Sequence, residues 1–139
     1  MIKSFEFFFD FISPYSYLAH KQIREIEKKN NIKITYKPVL LGGLHKLAGI
    51  TPHAFIPSKS KYMIRDCKMF SEKLNIKFKF NLNFPFNSLN LMRGIFYAQL
   101  KKKEEIYINN IFDACWKDGL NINDEKILND IKENKITKS

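Results

Sequence analysis

The stretch FDFISPYSYLA, residues 9–19, decides how the first third of this 139-residue chain folds. It joins an aromatic run to a helical pattern through Ser13 and Pro14. Serine is a favoured N-cap because its oxygen accepts a backbone N–H of the first turn, and proline suits the first helical position because it has no N–H to leave unpaired. The sequence therefore predicts a strand that ends near Phe11 and a helix that begins at Pro14.

The flanking residues extend this junction into a parallel strand–helix–strand unit. Residues 4–11 are mostly aromatic with partial alternation, which predicts a strand buried on both faces. The helix reaches about Lys29, and residues 32–39 alternate apolar and polar side chains as a second strand. One face of the helix is apolar, formed by Leu18, Ala19, Ile23 and Ile26. Because parallel strands need a crossover of this length, we assign residues 1–41 to one βαβ unit.

The remaining residues, 42–139, are predicted to form a helical insert domain. Residues 42–60 are rich in loop-forming glycine and proline and allow a short helix at 43–48. Apolar residues then recur at helical spacing in segments that begin near residues 61, 89, 108 and 123. Gly119 is the expected residue just past the third of these helices. The predicted fold class is α/β, a βαβ unit followed by helices.

Composition and charge exclude several classes of function. No run approaches the roughly 20 apolar residues of a membrane span, and the start lacks the apolar core of a signal peptide. We therefore expect a cytoplasmic protein without a membrane partner. The net charge of +10 comes mostly from scattered lysines, whereas base readout and phosphate recognition favour arginine. No nucleic-acid partner is expected.

The two cysteines, Cys67 and Cys115, are predicted to be buried and unreactive. Each lies inside an apolar helical pattern, and their separation matches neither a metal site nor a redox Cys-x-x-Cys motif. No metal site is predicted.

The start of the first helix has a chemistry of its own. Its free N–H groups and partial positive charge stabilise an anion there, including a thiolate. Since Ser13 carries no sulfur, the thiolate would come from a bound small molecule, and the serine would hold the nucleophile rather than be one. Capping alone also explains Ser13. A serine nucleophile needs a base, and His20 points elsewhere, while His45 and His53 lie in the loop-rich segment and remain open as surface, packing or site residues.

Four motifs, read together, carry a family resemblance. They are FFFDFISPYSYLA (7–19), IPSKSKYMIRDCKMF (56–70), FPFNSLNLMRG (84–94) and ACWKDGLNIND (114–124). In this order they resemble 2-hydroxychromene-2-carboxylate isomerases and kappa-class glutathione transferases, which are DsbA-like thioredoxin folds with an inserted helical domain. Where thioredoxin-fold oxidoreductases carry Cys-x-x-Cys, this chain has Ser13 and Ser16.

The resemblance implies a glutathione-dependent isomerase that acts on a small aromatic carboxylate. It implies that Ser13, next to Pro14, meets the glutathione sulfur and that Lys59 reaches a glutathione carboxylate. Further candidates for the substrate pocket are Tyr15, His53, Phe55, Asn87 and Arg93. Arg93 is expected to pair either with the substrate carboxylate or, structurally, with Asp66 or Asp113. Asp10 is expected to be structural, and Phe11, Tyr62, Asp66 and Trp116 are expected mainly to pack.

Two departures from the family pattern matter. Relatives often have Gly-Asn-x-Pro where this chain has Gly49-Ile50-Thr51-Pro52, which removes one donor to glutathione. The family also continues with a cis-proline loop, two antiparallel strands and a closing helix, whereas this chain stops at KENKITKS (132–139). The second half of the thioredoxin fold is therefore expected to be missing. Three explanations of the missing half remain open. The chain is a fragment, it pairs with a second copy as a homodimer or with a C-terminal segment, or it is a degraded gene product. Two alternative functions also remain open, a kappa-like transferase or oxidoreductase and a non-catalytic interaction module.

Overall fold

The structure, a computed structural model, describes residues 3–133. Within these residues it contains two strands and six α-helices, and a 3-10 turn at His53–Phe55. In chain order the elements are β1 (Lys3–Phe9), α1 (Pro14–Asn30), β2 (Ile32–Pro38), α2 (Leu41–Ala48), α3 (Pro57–Lys73), α4 (Leu89–Leu100), α5 (Glu104–Trp116) and α6 (Glu125–Lys132). The predicted strand–helix–strand unit followed by helices is confirmed. Residues 134–139, which hold most of the final motif KENKITKS, lie outside the described residues.

Strand β1 is buried on one face, and the prediction of burial on both faces is wrong. Strands β1 and β2 pair in parallel, with Phe7 opposite Tyr36. The face that carries Phe7 and Phe9 turns toward the helices, whereas Phe8 on the other face is 61% exposed. Within residues 3–133 the sheet has two strands, and α1 and α5 cover one side of it. The alternation of side chains therefore leaves the second face of β1 open.

One hydrophobic core joins the sheet to the later helices. Phe9 and Phe11 pack on Phe112 of α5, with ring centroids 5.6 and 4.9 Å away. At the far end of α5 the fully buried Trp116 stacks on Phe78. The extended link between α3 and α4 adds further rings around this indole: Phe80, Phe84 and Phe86. The core is thus continuous across the predicted boundary at 41/42, and that boundary stays a prediction.

Two of the later helices, α3 and α5, begin earlier than the apolar pattern predicts. Helix α3 begins at Pro57 rather than near residue 61, and α5 begins at Glu104 rather than near residue 108. The first turns of both helices contain no buried side chain, so a pattern of buried residues cannot reveal them. Gly119 has the expected positive φ of 62°, but it lies in the turn after α5, which ends at Trp116.

Candidate functional site

A cavity of about 490 Å³ opens beside the first turn of α1. Its lining comes from residues 12–15, from the segment that contains α2 and the 3-10 turn, from Met63 of α3 and from residues 84–87. Most of these side chains are apolar, and the polar ones are few: Ser13, Tyr15, His45, Thr51, His53 and Asn87. Such a mostly apolar pocket with a few converging polar groups is typical of a small-molecule site.

Ser13 is the N-cap of α1, as the sequence predicts. Its backbone is extended, with φ −92° and ψ 115°, and its Oγ accepts the N–H of Ser16 at 3.1 Å. Because this bond uses a lone pair of the oxygen, the hydroxyl hydrogen remains available to a ligand in the cavity. The Ser13 carbonyl accepts the N–H of Tyr17, and the Tyr15 N–H has no backbone acceptor among residues 3–133. The Ser13 hydroxyl and the Tyr15 N–H are therefore the donors that this end of the helix offers to an anion.

Buried hydrogen bonds that involve Asp10 and Trp116 hold the loop that carries Ser13. Asp10 is 2% exposed, and its two carboxylate oxygens accept the N–H groups of Ile12 at 3.0 Å and Leu41 at 2.9 Å. The indole Nε1 of Trp116 donates to the carbonyl of Phe11 at 2.7 Å. Asp10 is thus engaged with backbone on both oxygens, in the structural role that the sequence predicts. Trp116 and Phe11 lie in the core, as expected.

A second cavity, of about 510 Å³, adjoins the first and contains Lys59. Both cavities share Tyr15, His53 and Met63 in their linings. The Tyr15 hydroxyl donates to Asp66 Oδ2 of α3 at 2.8 Å, and partial burial followed by this hydrogen bond raises the pKa of Tyr15 above its usual value. Tyr15 is therefore a neutral phenol that links the start of α1 to α3 between the two cavities.

The other predicted pocket residues divide into two groups. His53, Phe55 and Asn87 line the first cavity, and Asn87 Oδ1 accepts the N–H of Leu89 at 3.0 Å, which leaves its amide NH₂ for other partners. Arg93 is exposed on α4 and lines neither cavity.

The two structural partners predicted for Arg93 are bonded elsewhere. Asp66 accepts the Tyr15 hydroxyl, and Asp113 pairs with Lys21 at 2.6 Å. Tyr62 is a further difference, because it is 69% exposed beside Lys59 rather than packed.

Among the described residues, no histidine forms a hydrogen-bonded pair with Ser13. His20 is fully buried, and its Nε2 lies 2.8 Å from the hydroxyl of Tyr36. Burial, helped by Lys21 and Arg24, lowers the pKa of His20 to about 3, so it is a neutral core residue. His45 and His53 line the cavity, but no side chain among the described residues hydrogen-bonds to Ser13 Oγ. The arrangement suits a hydroxyl donor better than an activated serine nucleophile.

The two cysteines are unreactive thiols, and the described residues contain no cluster of metal ligands. Cys67 and Cys115 are free and fully buried, as the sequence predicts. Burial raises the pKa of Cys67 to about 12 and raises that of Cys115 as well, so both stay protonated at neutral pH. Over residues 3–133 no group of three or more histidine, cysteine or acidic side chains is placed to hold a metal ion.

Sequence reasoning missed several lining residues, namely Ile12, Leu41, Thr51, Phe84 and Phe86. Phe84 and Phe86 belong to the motif FPFNSLNLMRG, so the motif itself held the signal. Thr51 lies in the loop-rich segment and Leu41 directly precedes it, and no periodic pattern marks the inward side there. Ile50, the departure from the family pattern, lines the cavity with an apolar side chain.

Comparisons with known proteins agree with the fold. The model of the DSBA-like thioredoxin domain matches residues 5–135. A 2-hydroxychromene-2-carboxylate isomerase of Pseudomonas putida is 26% identical over 117 residues, which cover 83% of this chain and 57% of that protein. Human glutathione S-transferase kappa 1 is 31% identical over 90 residues, which cover 65% of this chain and 38% of that protein.

The solved structure of a 2-hydroxychromene-2-carboxylate isomerase superposes with a TM-score of 0.84 at 25% identity. The match covers 95% of this chain and 65% of that structure. The chain thus spans a little over half the length of the P. putida relative.

Proposed function

The chain belongs to the family of DSBA-like thioredoxin domains, and from that premise we propose a glutathione-dependent isomerase of the 2-hydroxychromene-2-carboxylate type. In this proposal Ser13, at the N-terminus of α1, holds the glutathione thiolate. The relatives named above include proteins called isomerase and glutathione transferase, which supports this class of chemistry.

The observation that carries the proposal is the position of the Ser13 hydroxyl. It lines the apolar cavity, it is the N-cap of a 17-residue helix, and its oxygen is already engaged as an acceptor by the Ser16 N–H. A hydrogen bond from a hydroxyl to a charged acceptor contributes about 1.5–3 kcal/mol, and the helix end adds a favourable field for negative charge. The site therefore favours the thiolate over the thiol form of a ligand.

The two cavities together suit a tripeptide thiol beside an aromatic acid. Lys59 lines the second cavity, and in the proposal its ammonium group pairs with a carboxylate of glutathione. Phe55, Phe84 and Phe86 give the first cavity an aromatic wall, and the Asn87 amide adds a polar group at its edge. Because Arg93 lies outside both cavities, we do not include it in the proposed site.

The residues of the chain divide the work of an isomerisation. Bound glutathione supplies the sulfur nucleophile, which adds to an unsaturated carbon of the substrate and leaves after ring opening and bond rotation. Ser13 holds the sulfur and keeps it ionised, Lys59 orients the tripeptide, and the aromatic wall packs against the ring of the substrate.

Titration calorimetry with glutathione tests this assignment. We expect Ser13→Ala to weaken binding at least about tenfold, since a hydrogen bond to a charged acceptor is lost. Ser13→Gly is a useful companion, because glycine is almost as good an N-cap and separates loss of the hydroxyl from loss of the helix start. Ser4→Ala, at an exposed serine of β1 outside both cavities, is the matched control and should bind as the parent does. Unchanged affinity and turnover in both Ser13 variants would remove Ser13 from the role.

A kappa-like glutathione transferase is the second candidate. The 31% identity to human glutathione S-transferase kappa 1 favours it, and the same serine and cavity would serve both reactions. Conjugation of glutathione to an electrophile, without isomerisation of a chromene carboxylate, would favour the transferase.

A further inference from the structure

The outer face of α4 exposes a stripe of large apolar side chains. Leu100 lies one helical turn after the neighbouring residues Phe96 and Tyr97, and the three side chains are 82%, 57% and 66% exposed, respectively. The opposite face is buried in the core and consists of Leu91, Met92, Ile95 and Ala98. The inner face already anchors the helix, so the outer stripe is surplus to the packing of α4. Singly exposed apolar residues are ordinary, but a contiguous stripe marks an interaction surface.

Positively charged side chains lie at both ends of this stripe. Arg93 lies on the same face one turn before Phe96, and Lys101, Lys102 and Lys103 follow Leu100 directly. The Nζ of Lys101 lies 5.7 Å from the centre of the Tyr97 ring, so cation and aromatic ring are in contact.

The two acidic residues that follow are both engaged. Glu104 Oε1 accepts from Gln99 Nε2 at 2.7 Å, and Glu105 pairs with Arg24. The neutral Gln99 amide leaves the charge of Glu104 in place, so one carboxylate offsets the four cations around the stripe and the face remains net positive.

We propose that the α4 outer face, defined as Arg93, Phe96, Tyr97, Leu100 and the turn Lys101–Lys103, rests on an anionic lipid surface. Aromatic and leucine side chains beside a group of lysines are the composition that lies in the membrane interface, where tyrosine is also favoured. Clusters of basic residues add attraction to anionic headgroups. In residues 3–133 no helix is long and apolar enough to cross a bilayer, so the contact is a peripheral one. The sequence predicts no membrane partner from the absence of such a span, and the proposal goes beyond that expectation.

Charge favours lipid over a second copy of this chain. The chain carries a net charge of +10, and a symmetric contact through this face would set Arg93 and the lysine turn of one copy near those of the other. Leu100 is 82% exposed, so its side chain is free to enter a fluid interface without a matching groove.

Cosedimentation with vesicles tests the proposal. The parent chain is expected to pellet with vesicles of phosphatidylcholine and phosphatidylserine, to remain free with phosphatidylcholine alone, and to be released by high salt. The double variant Lys101→Glu with Lys103→Glu should lower the partition coefficient at least about tenfold, since each interfacial charge contributes about fivefold. Phe96→Ser with Leu100→Ser should lower it as well.

Matched controls separate this face from general charge and hydrophobicity. Lys28→Glu with Lys29→Glu changes the net charge equally at the exposed end of α1. Leu47→Ser with Leu82→Ser removes apolar side chains that are 88% and 90% exposed elsewhere. Both controls should bind vesicles as the parent does, and circular dichroism should show all four variants folded.

Three outcomes would overturn the proposal. The first is no binding to the phosphatidylserine vesicles. The second is an equal loss in the control variants, which would mean unspecific attraction. The third is a dimer in sedimentation velocity that Phe96→Ser with Leu100→Ser dissociates, which would assign the face to a second copy. None of these outcomes depends on whether glutathione binds at Ser13.

Discussion

The two walls of the candidate cavity are supported very differently. The α1 wall, residues 10–16, is built on buried groups, with Asp10, Phe11 and Pro14 all below the surface. The opposing α2 wall, residues 41–56, contains no buried side chain in α2 or in the 3-10 turn. The comparison teaches that the proposed sulfur site is held by the core, while the side of the cavity that would meet a substrate lies on the surface.

The hydrogen bonds follow the same division. The α1 wall is tied to distant parts of the chain through Trp116 and through Asp10 Oδ2, which accepts the N–H of Leu41. The bonds within the α2 wall are mainly local, such as Ile50 N–H to the His45 carbonyl at 2.9 Å. A surface segment with local bonds tolerates changes of sequence more readily than a buried one. Ile50, where relatives often have asparagine, lies in this tolerant wall.

The largest expected effect comes from removing the support of the α1 wall. Trp116→Ala should lower the free energy of unfolding by about 3–5 kcal/mol, because it leaves a large cavity and frees the Phe11 carbonyl. Leu47→Ala, in the α2 wall, should change it by no more than about 0.5 kcal/mol. Urea denaturation of both variants measures this contrast. Similar losses in the two variants would erase the distinction between the walls.

A second effect, on the pH dependence of stability, tests the burial of His20 on α1. The pKa of His20 is about 3 in the folded protein and about 6.5 in the unfolded chain. The contribution of neutral, buried His20 to the free energy of unfolding is therefore complete above about pH 6.5 and declines as pH falls toward 3. Between pH 7 and pH 5 this residue alone should cost about 2 kcal/mol. His20→Gln should show a correspondingly smaller drop in urea denaturation at the two pH values. An identical drop in parent and variant would contradict the assignment.

The smallest expected effect comes from the two hydrogen bonds that Asp10 accepts, of which the one from Leu41 joins the two walls. Asp10→Asn keeps one acceptor oxygen and so cannot accept the N–H groups of both Ile12 and Leu41 as the carboxylate does. We expect a loss of about 1 kcal/mol in stability. Hydrogen exchange should also become faster at Leu41 or Ile12. Unchanged exchange at both amides would mean that Asp10 does not join the walls.

Much of the fold follows from local sequence, and the comparisons confirm the family that the motifs predict. Ser13 and Pro14 define the start of α1 because capping chemistry is local. The burial of β1 was not predictable in the same way, since it depends on which faces distant helices cover, and Phe8 is left in solvent.

The site was predictable only in part for the same reason. The α1 wall was predictable because the capping residues that define it lie within four residues of sequence. The α2 wall reaches the cavity through a loop, and no periodic pattern marks which of its residues face inward. Arg93 shows the opposite error, because its motif suggested a pocket residue while helical geometry turns it outward. Asp66, expected to pack, accepts a hydrogen bond from Tyr15 across 51 residues, a contact that spacing along the chain does not reveal.

A crystal structure of the chain with glutathione tests the central claim most directly. The account predicts the glutathione sulfur within about 4 Å of Ser13 Oγ, at the first turn of α1, with the tripeptide extending toward Lys59. A sulfur atom placed away from this helix end, or glutathione bound outside both cavities, would contradict the claim that Ser13 holds the thiolate.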